Sequence, residues 1–109
     1  MSHDIPMDAT GDALRRMLSD GADLLKVHSI DFFVATPSQQ AGIAVASAVK
    51  QKGFEVEVSK DETGPEWTVR CTKSMVPSHA AISQIEQSLD VTASQYEGRA
   101  DGWGAFPVE

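Results

Sequence analysis

Residues 53–72 read GFEVEVSKDETGPEWTVRCT. Phe54, Val56 and Val58 alternate with Glu55 and Glu57, the two-residue period of a strand that keeps one face in water. Trp67, Val69 and Cys71 repeat that period against Thr68, Arg70 and Thr72, so a second strand follows the first. Between them, Lys60 to Pro65 brings together Asp61, Thr63, Gly64 and Pro65, residues that favour chain reversal, and predicts a hairpin of moderate length. The segments flanking this hairpin decide what covers its apolar face.

Upstream, Ile30, Phe32 and Val34 alternate with Asp31, Phe33 and Ala35 and predict a first strand. Thr36, Pro37 and Gln39 predict a helix start. The threonine hydroxyl can cap, proline at the first helical position loses no needed donor, and Gln39 can reach back in a capping box. That helix should run to about Lys52, bury Ala41, Ala44, Val45, Ala48 and Val49, and stop at Gly53. Downstream, Pro77 and Ser78 open a second long helix whose apolar positions are Ile82, Ile85, Leu89, Ala93 and Tyr96. Pro37, Ser38 and Ala41 recur as Pro77, Ser78 and Ala81, which is shared helix-start chemistry before it is duplication. Asp12 can cap a shorter helix through Leu14, Met17 and Leu18 that ends at Gly21. Past Gly98, Arg99 to Gly104 suits one further strand or a docked loop.

The predicted order is helix, strand, helix, strand, strand, helix, short strand. Two strand-helix-strand units sharing a central hairpin are the split arrangement of a ferredoxin-like α+β sandwich (βαββαβ), with both long helices on one face of an antiparallel sheet. Residues 1–10 are expected as a flexible lead-in, 11–104 as the domain and 105–109 as a frayed end. The face without helices should display Asp31, Phe33, Glu55, Glu57, Thr68, Arg70 and Thr72.

The 109 residues, 41% hydrophobic and 23% charged, suit one globular domain. A chain of this size removes roughly 65% of its unfolded surface from water, enough for a core without disulfides or a structural metal. Cys71 is the only cysteine, which rules out an intramolecular disulfide and a cysteine zinc cluster and favours a reducing compartment. Sixteen acidic against nine basic residues leave a net charge of −7. That charge opposes direct nucleic-acid binding, whose affinity comes largely from neutralising phosphates, and opposes an anionic membrane surface as well. The first twelve residues carry Asp4, Asp8 and Asp12 and no Lys or Arg, unlike an export signal, and the most apolar window, Ala41 to Val49, is too short to span a bilayer. The expected location is the cytoplasm.

Catalytic patterns are absent: there is no phosphate-binding glycine loop, no Gly-x-Ser-x-Gly and no His-Glu-x-x-His. Cys71 shares the period of Trp67 and Val69 and should be an inert core thiol. His3, His28 and His79 have no metal-ligand spacing. Glu55 and Glu57 suit a solvated strand face. The expectation is therefore no cofactor, no metal and no enzymatic activity. Two runs stand out. Thr72 to Pro77 places Lys73 and Met75 at a strand-to-helix turn, as an ordinary connector or as surface determinants. Asp101-Gly102-Trp103-Gly104 sets a large aromatic between glycines, as a lid on the core edge or as an interface anchor of the kind enriched in binding hot spots.

The chain resembles the regulator of ribonuclease activity B family. The similar stretches are Gly11, Asp12 and Leu14; His28, Ile30, Asp31 and Phe32; Gly53 to Val56; Trp67; Thr72, Lys73, Met75, Val76 and Pro77; and Asp101, Gly102 and Trp103. It departs from the family pattern at the position directly before the Asp-Gly-Trp run, where family members carry an aromatic and this chain has Ala100. The resemblance implies a ferredoxin-like sandwich without catalysis that controls RNA decay by binding ribonuclease E rather than RNA. Lys73, Met75, Asp101 and Trp103 are the candidate partner-binding residues on this reading. A reading from another class is a ferredoxin-like module that senses a small molecule as a dimer formed by sheet edges or open faces.

Overall fold

The computed structural model describes residues 9–21, 25–62 and 64–107. Its elements are α1 (Ala9–Ser19), β1 (His28–Thr36), α2 (Gln39–Lys50), β2 (Glu55–Lys60), β3 (Trp67–Met75), α3 (His79–Ser94) and β4 (Arg99–Pro107). The strands form one antiparallel sheet in the order β2-β3-β1-β4. Among the described residues, α2 packs on β2 and β3, α3 packs on β1 and β4, the two helices touch, and α1 leans on α3. The result is an α+β sandwich with the core between sheet and helices.

The register explains which side chains enter that core. Phe32 and Val56 both stand opposite Cys71, and Val34 and Val58 both stand opposite Val69. Their shared face meets Val45 and Val49 of α2 and Ile82, Leu89 and Ala93 of α3, with Leu14 entering from α1. Phe54 closes one end of the core, its ring edge-on to Phe32 with centroids 6.1 Å apart. Each large side chain removed from water in this way stabilises the fold by roughly 1.5–3 kcal/mol.

The helix starts follow cap chemistry, with one correction. Ser38, not Thr36, caps α2, in an extended conformation with its Oγ accepting from the Ala41 N–H at 3.1 Å. Pro37 therefore precedes the cap. Thr36 ends β1 with its buried hydroxyl 3.1 Å from the Trp67 carbonyl and 3.2 Å from that of Ser38. The buried stripe of α2 is accordingly rotated to Gly42, Val45, Ala46 and Val49, and Ala41, Ala44 and Ala48 are only half-buried. Ser78 caps α3 in the same manner, accepting from Ala81 N–H at 3.2 Å. α3 stops at Ser94, so Tyr96 lies in the following turn, exposed, instead of on the buried stripe.

Two glycines have a steric cause. Gly53 sits at φ +95, the left-handed stop expected after α2. Gly98 allows α3 to return to the sheet, because a Cβ there would lie 2.7 Å from the Ala35 carbonyl oxygen. The end elements are longer than the apolar periods suggested. α1 begins at Ala9, β1 takes in His28 and Ser29, and β4 continues beyond Gly104 to Pro107, which pairs with His28. Of the expected frayed end at 105–109, Val108 and Glu109 lie outside the described residues.

Candidate functional site

β4 carries the feature that shapes this site. Ala100 stands opposite Val34 and Trp103 opposite Phe32, so two residues of β4, Asp101 and Gly102, take the place of one partner and the register shifts at Phe33. Gly102 occupies φ +100, a conformation that glycine-type β-bulges use and L side chains resist. The bulge sends Trp103 to the same face as Phe32. Without it, alternation would aim Ala100 and Gly102 at the core and Trp103 away from it.

Trp103 is consequently half-buried, packed against the core, with its indole Nε1 donating to Thr10 Oγ1 at 3.4 Å. Thr10 in turn donates to Glu86 Oε1 at 2.9 Å, so one polar chain joins β4, α1 and α3. Beside the indole lies a shallow cleft of about 170 Å³ lined by Ala13, Arg16, Met17 and Asp20 of α1 and by Trp103 and Gly104 of β4. Ligand pockets for small molecules run to roughly 300–1,000 Å³, so this cleft has the volume for one inserted side chain rather than a metabolite.

The structure does not gather the four candidate residues into one patch. Lys73 stands opposite Ile30 on β3, half-buried, with its ammonium 5.1 Å from the centre of the Phe54 ring. Met75, opposite His28, packs partly against the core. Both are separated from Trp103 by the whole width of β1. Asp101 is exposed in the bulge at the sheet edge. Thr10, Ala13, Met17 and Asp20 complete the Trp103 corner and were not legible as its partners, because only packing brings α1 to β4. The Asp101-Gly102 pair inside a strand pattern was the available signal for the bulge.

The helix-free face displays Phe33, Glu55, Glu57, Thr68, Arg70 and Thr72 at least partly to solvent, as alternation predicts. Asp31 differs. It is 8% exposed and accepts from Thr72 Oγ1 at 2.6 Å. Arg70 pairs with Glu57 at 2.8 Å, which leaves the face short of free positive charge for phosphates. Cys71 is fully buried, and desolvation pushes its thiol up to about 12, so it stays protonated and unreactive. His28 is a buried member of β1, and His79 in the first turn of α3 is half-buried beside Ser83. His3 lies outside the described residues. Among the described residues no group of three or more His, Cys, Asp or Glu could hold a metal ion, and no helix is long and apolar enough to cross a membrane.

The site thus offers a surface for contact. No curated protein matches the chain. The pattern of a regulatory, non-catalytic family described as regulator of ribonuclease activity B matches residues 7–105, which includes α1, the whole hairpin and the bulged strand as far as residue 105, Trp103 among them. The chain belongs to the regulator of ribonuclease activity B family.

Proposed function

We propose that this protein is a non-catalytic cytoplasmic regulator that docks on ribonuclease E and reduces its cleavage of RNA. Membership of a family of ribonuclease regulators carries the reading. The net charge of −7 supports its mode: an acidic protein meets RNA with repulsion and a basic protein segment with attraction, which also speeds encounter at low salt. On this reading the fold is the ferredoxin-like arrangement, with α1 as an addition that shields one corner of the core. Asp101 and Trp103 then act at the bulged edge of β4, and Lys73 and Met75 act at the far side of the sheet.

The small-molecule reading finds less support. A larger groove of about 470 Å³ beside α3 is lined by Lys52, Gln84, Gln87, Ser88, Thr92 and Gln95, with Val91 as its one apolar side chain. Ligand sites are lined predominantly by apolar and aromatic groups. Lys52 Nζ is already engaged there, donating to Ser88 Oγ at 2.8 Å and Thr92 Oγ1 at 3.2 Å.

The test is retention of ribonuclease E on the immobilised, folded protein at physiological salt, followed by a cleavage assay. Retention that weakens as salt rises, together with slower RNA cleavage, is expected. Absence of retention with the protein shown to be folded overturns the proposal.

A further inference from the structure

The two edges of the sheet are defended differently. β2 carries exposed Glu55, Glu57 and Lys60, and charges on an edge strand discourage another chain from pairing with it. The first half of β4 is guarded by other means. Asp90 of α3 accepts the Ala100 N–H at 2.9 Å, and the bulge at Gly102 interrupts the ladder. From Trp103 to Phe106 neither guard is present among the described residues, and Pro107, which lacks an N–H to offer, closes the stretch. The stretch is Trp-Gly-Ala-Phe-Pro, with no charged residue, and it resumes regular pairing with β1 from Phe32 to His28. β4 is an edge strand, so among the described residues no strand pairs with its other side over about 17 Å.

This unguarded half is also where the cleft between α1 and Trp103 opens, with Gly104 among its lining residues. An extended chain laid along the β4 edge gains main-chain hydrogen bonds, and one of its alternate side chains is brought to a cavity that suits a single apolar group. Charge selects the occupant. Asp20 at the cleft and Asp101 at the bulge are both exposed, Arg16 on the cleft wall offsets one of them, the whole chain carries −7, and a second copy of the same chain would bring that repulsion with it.

We propose that the Trp103–Pro107 edge of β4, together with the α1 cleft, is a strand-addition site for an extended segment of a partner protein that carries an apolar residue flanked by basic ones. The proposal rests on the reading of this protein as a protein-binding regulator and assigns that reading a surface.

A titration of the isotope-labelled full chain with an acetylated, amidated hexapeptide, Lys-Val-Arg-Leu-Lys-Val, tests the surface directly by amide chemical shifts. The expected perturbations are confined to Trp103–Phe106 and Ala13–Asp20. N-methylation of alternate peptide amides should weaken binding at least tenfold, as should Glu in place of Lys and Arg. Asp20→Lys should weaken it several-fold without touching the core, and Ala13→Trp should do so by filling the cleft. Perturbations centred on β2 or the helix-free face, or equal binding of the N-methylated peptide, overturn the proposal. So do β4 shifts that grow with protein concentration in the absence of peptide, which would make a second copy the occupant. Ribonuclease E supplies the second arm. Retention by the unaltered protein and loss in both variants supports the site, and equal retention by all three overturns the site while leaving the regulatory reading intact. No retention by the unaltered protein overturns the regulatory reading, and the peptide titration still decides the surface.

Discussion

The indole of Trp103 donates to the hydroxyl of Thr10 across 93 residues of sequence, and that contact ties the bulged edge strand to the first helix. The tie makes Trp103 part of the core edge and a wall of the neighbouring cleft at once. Trp103→Ala should cost roughly 2–3 kcal/mol in urea unfolding, below the range for a fully buried tryptophan because the side chain is half-buried. Trp103→Phe keeps most of the packing and should cost about 1 kcal/mol for the lost hydrogen bond. Lost partner binding with unchanged stability in Trp103→Ala would mark an anchor that contributes nothing to packing.

Gly102 is the hinge of the bulge. Replacing it with Val at φ +100 should cost roughly 1–3 kcal/mol in backbone strain. The cost should come with a structural sign: the Trp103 indole N–H resonance should shift as its environment changes, while that of Trp67 stays in place. Equal shifts of both resonances would count against a local effect.

Gly98→Ala places a methyl 2.7 Å from the Ala35 carbonyl oxygen, a backbone atom that cannot rotate away. A loss of about 2 kcal/mol or more is expected from the forced separation of β1 and the α3–β4 turn. Gly42→Ala should cost less. Its closest contacts are side-chain atoms, Val58 Cγ1 at 3.1 Å and Thr36 Oγ1 at 3.2 Å, and alanine gains about 1 kcal/mol of helix propensity. Thermal unfolding of the two variants should therefore rank Gly98→Ala as the less stable.

Cys71 sets a pH dependence with a defined sign. Its thiol is raised from the ordinary value of 9.0 to about 12 by burial, so the unfolded chain releases this proton first as pH rises. The contribution of this group to stability is whole below pH 9 and declines between about 9 and 12, at up to about 1.4 kcal/mol per pH unit. Cys71→Ala should flatten that part of the stability–pH curve relative to the unaltered protein. The native thiol should also resist a disulfide reagent at pH 8 and react fully in urea; rapid reaction in the folded state would contradict its burial.

Ser38 and Ser78 each accept one N–H at the start of a long helix. Ser38→Ala and Ser78→Ala should each cost about 1 kcal/mol. Because the caps begin different helices and share no partner, the double variant should show the sum of the two losses.

The hairpin was legible because alternation and turn chemistry are local, and Val69 and Cys71 point inward as their period requires. The start of α3 at Ser78 was legible for the same reason. At α2 two hydroxyls competed for one cap. Thr36 was taken by the sheet, where its hydroxyl lies near the Trp67 carbonyl, and Ser38 was left for the helix. Nothing within residues 36–39 reveals that Trp67 stands opposite Thr36. The candidate site was legible in part. Asp101, Gly102 and Trp103 stood out by type, whereas the α1 residues that complete the corner carried only a helical period.

Element order, the apolar faces, the cap and turn chemistry at α3 and Gly53, and an acidity that points away from RNA all follow from the order of the amino acids alone. These properties reside in neighbours a few residues apart, where backbone geometry alone brings groups together. Tertiary structure decided the rest: the register that buries Asp31 beside Thr72, the bulge that turns Trp103 inward, the approach that forbids a side chain at Gly98, and the cleft beneath α1. Each depends on atoms that meet only after the sheet has formed, so no local period could contain them.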